Sequence, residues 1–174
     1  MTLIVCSLAL MPEVVRTRGP SHMITLIDPS TPVERPLSLD GSRHLKLELD
    51  DISEPTRGFV APDERSVMRI LEFSRTWDAS APMVVHCYAG ISRSGASAFV
   101  IACDRNPHAN EFEIARALRR AAPHAYPNRR IVALADTILG RGGRMVDAIE
   151  AIGGNNFVPT GPAYDLPIDY PAVT

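Results

Sequence analysis

The chain has 174 residues, 45% of them apolar and 22% charged, which suits one folded domain with a full-sized core rather than a disordered or fibrous chain. A net charge of −2 gives no field for holding nucleic acid or an anionic membrane surface, and no apolar run nears the roughly 20 residues that span a bilayer. Cys6, Cys87 and Cys103 are too few and too far apart for a disulfide framework or a zinc site, so a reduced, cytoplasmic setting is expected.

The opening run "LIVCSLALM" could pass for a signal-peptide core. It has no basic segment before it and Glu13 soon after, so it reads as a first buried strand. "MPEVVRTRG" follows as a short helix ended by Gly19 and Pro20, then "HMITLID" as a second strand. Residues 29–43 are polar and turn-rich, with Asp40 and Gly41 at a turn. "HLKLELD" alternates apolar and polar with period two and predicts a strand with one wet face. After a loop with glycine and prolines, Pro62 suits the first turn of a helix, with Asp63 and Glu64 behind it. Val67, Ile70, Leu71, Ser74 and Trp77 share one face of that helix.

"PMVVHC" is a short, wholly apolar strand running into the segment 92–103, whose small and apolar residues predict a buried helix. Asn110 with Glu113 resembles a capping box for a further helix, and Asn128 suits the N-cap of the next. "GRMVDAIEAIGG" closes the series as a last helix. The fold class expected is α/β, a central, mostly parallel sheet of about four to five strands flanked by helices, with a helical C-terminal half. Residues 1–153 make one domain in this reading, and residues 154–174 a proline-containing tail extended on the surface.

Within "VVHCYAGISRSG", residues 84–95, the apolar strand ends at a histidine and a cysteine, a tight loop follows, and the buried helix begins near Ser92. Successive backbone N–H groups in such a loop can form an anion-binding nest, and the helix N-terminus adds its own donors and partial positive charge. Arg93 supplies a fork for two oxygens of a phosphoryl group. Cys87 then lies at the base of a phosphate-sized cradle whose donors also stabilise a thiolate. Gly90 permits the sharp turn, and Ser94 can donate to the sulfur when it must leave again. Tyr88, Ala89, Gly90, Ile91 and Ser92, with Arg93, line the cradle as substrate-binding residues.

His86, Cys87, Gly90, Arg93, Ser94 and Gly95 in "HCYAGISRSG" resemble the signature loop of the cysteine-based protein tyrosine phosphatases, closest to their compact, dual-specificity-like branch with its small bacterial members. The resemblance implies a dual-specificity-phosphatase-like fold, a cysteine nucleophile and a general acid on a separate loop upstream. Only "LELDDISEP" offers an acidic stretch of that kind. Strand alternation puts Asp50 with Glu48 on the wet side, but beyond the strand phase means little, and both Asp50 and Asp51 stay open on that ground. The resemblance favours Asp51, because small members carry an aspartate directly before an isoleucine here. Glu54, Asp63 and Glu64 are weaker candidates. His86 supports the loop through hydrogen bonds.

Cys6 falls near the end of a strand that the resembled fold sets beside the one leading to Cys87. A protective disulfide and a plain core thiol are its two readings.

The function expected is a metal-independent and cofactor-free phosphomonoesterase with a cysteinyl-phosphate intermediate, acting on phosphotyrosine in proteins or peptides, with dual specificity left open as the wider alternative. The loop interior "YAGIS" carries no basic residue, which disfavours an inositol lipid. A phosphatase for a small metabolite, an inositol phosphate or an RNA end is the rival enzyme. A phosphate-binding pseudo-phosphatase is the rival of another class, and the intact Cys87, Arg93 and acidic loop speak against it.

Overall fold

Apolar, largely β-branched runs build the sheet. β1 (Thr2–Ser7), β2 (His22–Ile27) and β4 (Met83–Cys87) are buried almost end to end, because both faces of the sheet are covered there. β3 (His44–Glu48) alternates, with Leu45 and Leu47 inward and Glu48 in solvent. With the antiparallel β5 (Tyr164–Pro167) the order across the sheet is β3, β2, β4, β1, β5, and all other pairings are parallel. This is the mostly parallel sheet the sequence predicts. The computed structural model describes residues 1–173.

α1 (Met11–Arg18) covers one face, closing a small core with Ile4, Cys6, Met23, Leu39 and Val84. On the other face lie α2 (Glu64–Thr76), α3 (Arg93–Arg105), α4 (Glu111–Ala121), α5 (Arg129–Ile138) and α6 (Arg144–Ala151), around a larger core that contains Val5, Leu26, Val85, Phe99 and Trp77. α3 is buried from Arg93 through Cys103, as its small and apolar surface requires. No helix among the described residues is long and apolar enough to cross a membrane.

The helix ends follow local chemistry with two departures from expectation. Pro62 lies outside α2, whose cap is Asp63 in a reciprocal box with Ser66. Asn110 caps α4 by accepting from the Phe112 N–H at 2.8 Å. The box with Glu113 does not form, because Glu113 reaches Arg116 one turn on at 2.6 Å. Asn128 caps α5, accepting from the N–H groups of Arg130 and Ile131 at 3.1 Å each.

Residues 164–167 do not run over the surface as expected of the tail. "YDLPI" is apolar at every second position, and Tyr164, Leu166 and Ile168 are buried while β5 adds to β1. Without it β1 would be an open edge. Pro167 fits because an edge strand can spare a donor.

Candidate active site

Cys87 ends β4 in the middle of the sheet, at the carboxyl ends of the parallel strands, where open α/β sheets form their binding crevices. The chain then turns back into α3 through residues 88–92. The carbonyls of this loop are held from outside by separate segments. Tyr88 O accepts from Leu8 N at 3.1 Å, Ala89 O from Gly161 N at 2.8 Å, and Ile91 O from Tyr126 N at 3.1 Å. Ser92 O accepts from Ala96 N at 2.9 Å and Asn128 N at 3.3 Å. In a planar peptide the N–H points away from the C=O, so pinning the carbonyls outward turns the following amides to the inner side. Gly90 has φ +71°, and a Cβ there would lie 2.6 Å from Ser7 N, so the loop is seated directly on the end of β1.

Ser92 is the N-cap of α3, yet its side chain does not cap the helix. It donates instead to Asp51 Oδ1 at 2.7 Å, leaving the first N–H groups of the helix for another partner. Arg93 is buried and donates through Nη1 to Leu49 O at 2.8 Å, while its buried Nε has no hydrogen-bond partner. Among the described residues it forms no ion pair. Ser94 Oγ lies 3.1 Å from Cys87 Sγ. Of the remaining loop side chains, Tyr88 is exposed on the rim and Ala89 and Ile91 are half-buried.

The two adjacent aspartates have different surroundings. Asp50 closes its own loop: its N–H donates to Val60 O and its Oδ2 accepts from Val60 N, both at 2.7 Å. Asp51 faces the cradle loop, with Oδ1 held by Ser92 Oγ and by Asn128 Nδ2 at 2.9 Å. Asn128 therefore both caps α5 and steers Asp51. Glu54 is exposed on the same loop, Asp63 is spent as the cap of α2, and Glu64 opens that helix.

His86 is enclosed in β4, with Nε2 2.7 Å from Thr25 Oγ1, which in turn is 2.8 Å from His44 Nε2. Burial, and after it the charge of His44, bring the His86 pKa down to about 4. The ring is therefore neutral and structural at ordinary pH. Cys6 is level with His86 and Ser7 with Cys87 in the β1–β4 register, so Cys6 joins the α1-side core and Cys87 the opposite one. A bridge between them would have to pass through the sheet, which leaves Cys6 as a core thiol, pushed up to about 12 by burial and then by Cys87.

Several contacts had no sequence signal, because a backbone atom makes them: Leu49 O on Arg93 and Gly161 N on Ala89. Thr25 did carry one, as the lone polar residue in the interior of an apolar strand.

A family model described as protein-tyrosine phosphatase matches residues 55–129, from the loop after Asp51 through the cradle to the start of α5. No curated protein matches the chain. Among solved structures the fold is shared with the Cydia pomonella PTP-2 phosphatase, at 19% identity over 76% of this chain and 83% of that one, with a TM-score of 0.60. It is shared with DUSP15 at 15% identity over 87% and 92%, with a TM-score of 0.61. PTPMT1, solved in complex with PI(5)P, aligns at 14% identity over 79% and 87%, with a TM-score of 0.56. The sheet and the strand–loop–helix cradle are thus similar in fold to these phosphatases, and the family match spans the part of the chain that holds the cradle. Its layout is similar to that of the solved structures of DUSP15 and human DUSP28.

Proposed function

We propose that the protein is a metal-independent, cofactor-free phosphomonoesterase that acts on phosphotyrosine in proteins and forms a cysteinyl-phosphate. The observation that carries this reading is Arg93, a buried guanidinium at the end of the cradle loop whose Nε is unpartnered and which pairs with no carboxylate among the described residues. An uncompensated buried charge costs several kcal/mol, and a phosphate dianion in the cradle offsets it. Free-thiol chemistry of this kind suits the reducing cytoplasm.

The Cys87 thiolate attacks phosphorus in line, forming the S–P bond as the ester P–O bond breaks. Arg93 and the amides of residues 88–92 hold the non-bridging oxygens. Asp51 gives its proton to the departing oxygen; Ser92 and Asn128 occupy Oδ1, which leaves Oδ2 to carry that proton. Water then attacks phosphorus, Asp51 takes back a proton, and the thiolate leaves with a hydrogen bond from Ser94. The opposite protonation requirements of Cys87 and Asp51 give a bell-shaped pH–rate profile.

Basic residues are absent from the loop interior Tyr88, Ala89, Gly90, Ile91 and Ser92, which favours a singly phosphorylated aromatic side chain over an inositol lipid such as that bound by PTPMT1. The test is turnover in EDTA of a phosphotyrosine peptide, p-nitrophenyl phosphate and PI(5)P vesicles. Cys87→Ser abolishes all turnover, and Asp51→Asn lowers peptide turnover by about 10²–10⁴-fold, with a smaller loss on p-nitrophenyl phosphate, whose leaving group needs little protonation. Asp50→Asn keeps the acid-dependent limb of the profile. Preferred turnover of PI(5)P would replace phosphotyrosine with a lipid headgroup.

A further inference from the structure

The segment between α6 and β5 is fixed against the cradle rather than passing it by. Arg119 Nη2 donates to Gly153 O at 3.1 Å, Asn155 Nδ2 to His124 O at 2.9 Å, and Asn156 N to Pro123 O at 3.0 Å. Further along, Gly161 N holds Ala89 O of the cradle loop at 2.8 Å. Held at both ends, the segment places Asn155, Phe157 and Val158 along one wall of a cleft of about 430 Å³. Asp51 and Ser92 lie in the same cleft, so it continues directly from the cradle. Its other walls include Ile91, Tyr126 and Pro127.

Phe157 stands at the mouth of this cleft with 87% of its surface exposed, and Tyr126 is also exposed. An exposed phenylalanine has no stabilising role in the folded chain, whereas an aromatic beside a reactive centre provides contact area at small entropic cost. Arg129 is the one cation lining the cleft. A polyphosphate or an inositol phosphate would call for a cluster of such charges. Apart from Asp51 and the hydroxyls of Ser53 and Ser92, the remaining walls are aromatic, aliphatic or amide.

We infer that residues 155–158, with Phe157 foremost, are a specificity-determining wall that packs against an aliphatic side chain next to the phosphotyrosine of a peptide substrate. This rests on the phosphotyrosine reading above and deepens it, because continuity with Asp51 and Ser92 puts the neighbour of the reacting residue into this cleft.

The experiment measures kcat/KM for two phosphotyrosine peptides that differ only in carrying Leu or Asp at both flanking positions, with p-nitrophenyl phosphate alongside. The wild type prefers the Leu peptide. Phe157→Ala lowers the ratio of Leu-peptide to p-nitrophenyl phosphate kcat/KM by about tenfold, through KM, the amount expected for partial loss of one aliphatic contact. Phe157→Leu restores most of it, and Leu37→Ala, on a fully exposed residue lining a separate groove, leaves every ratio unchanged. Equal turnover of both peptides, or a Phe157→Ala ratio equal to that of wild type, overturns the inference while phosphotyrosine hydrolysis stands. Turnover of p-nitrophenyl phosphate with neither peptide hydrolysed overturns the phosphotyrosine reading, and this inference falls with it.

Discussion

At His86 a titratable ring is enclosed in an apolar strand and kept in place through Thr25, one residue from the proposed nucleophile. Its folded pKa of about 4 lies below the value near 6.5 that an unfolded chain shows. Between those two values the unfolded chain binds a proton that the fold does not, so stability is complete above the unfolded value and is lost as pH falls toward 4. Over the whole window the loss is on the order of 3 kcal/mol, and between pH 7 and 5 about 2 kcal/mol. Urea unfolding of wild type and His86→Gln at these two pH values measures it. The wild type loses more stability than the variant by roughly that 2 kcal/mol; equal losses would mean that His86 does not stay neutral in the fold.

The cradle is shaped at the level of elements, by the seating of its loop on β1. Gly90 is left-handed at φ +71°, and an added Cβ meets backbone atoms, Ser7 N at 2.6 Å and the Cys6 carbonyl carbon at 2.7 Å, which cannot swing aside as a side chain would. Gly90→Ala therefore carries the left-handed penalty of about 1–2 kcal/mol and must also lift the loop off β1. It is expected to cost at least 2 kcal/mol of stability (roughly) and about 10²-fold in kcat/KM. Gly140 is a fair comparison, since it has φ +63° but open space around it. Gly140→Ala lowers stability by about 1 kcal/mol and leaves turnover alone. Activity assays and thermal melts of the two variants together separate backbone conformation from close approach.

The same loop explains what could be read in the sequence. Sulfur, a guanidinium, a hydroxyl and a missing Cβ are side-chain requirements, so Cys87, Arg93, Ser94 and Gly90 were all legible, as were the strand and helix on either side. The choice between Asp50 and Asp51 was not legible from alternation, because both lie past the end of β3. The proposed choice of Asp51 is supported by a loop closure that ties Asp50 to the backbone of Val60, which no side-chain pattern announces.

On the scale of the whole molecule, residues 155–173 belong to the fold and to the surroundings of the site at once. Their alternation was hidden among prolines, so residues 164–167 read as tail when they are an edge strand. Tyr164, Leu166 and Ile168 are each buried, and burying such side chains contributes about 1.5–3 kcal/mol apiece. Their sum rivals the roughly 5–15 kcal/mol that holds a typical domain together. Removing them also uncovers β1, which carries Leu3 and Val5 in the main core and becomes an open, apolar edge. A chain truncated after Gly153 is therefore expected to lose cooperative unfolding and to aggregate, rather than to remain as a smaller domain. Leu166→Ala, by contrast, keeps the strand and costs about 2–5 kcal/mol. Denaturation followed by circular dichroism and light scattering tests both. A truncated chain that melts cooperatively as a monomer would show that β5 adds to a fold already complete without it. In that case loss of the Gly161 bond to Ala89 becomes measurable separately, as a fall in turnover by a stable protein.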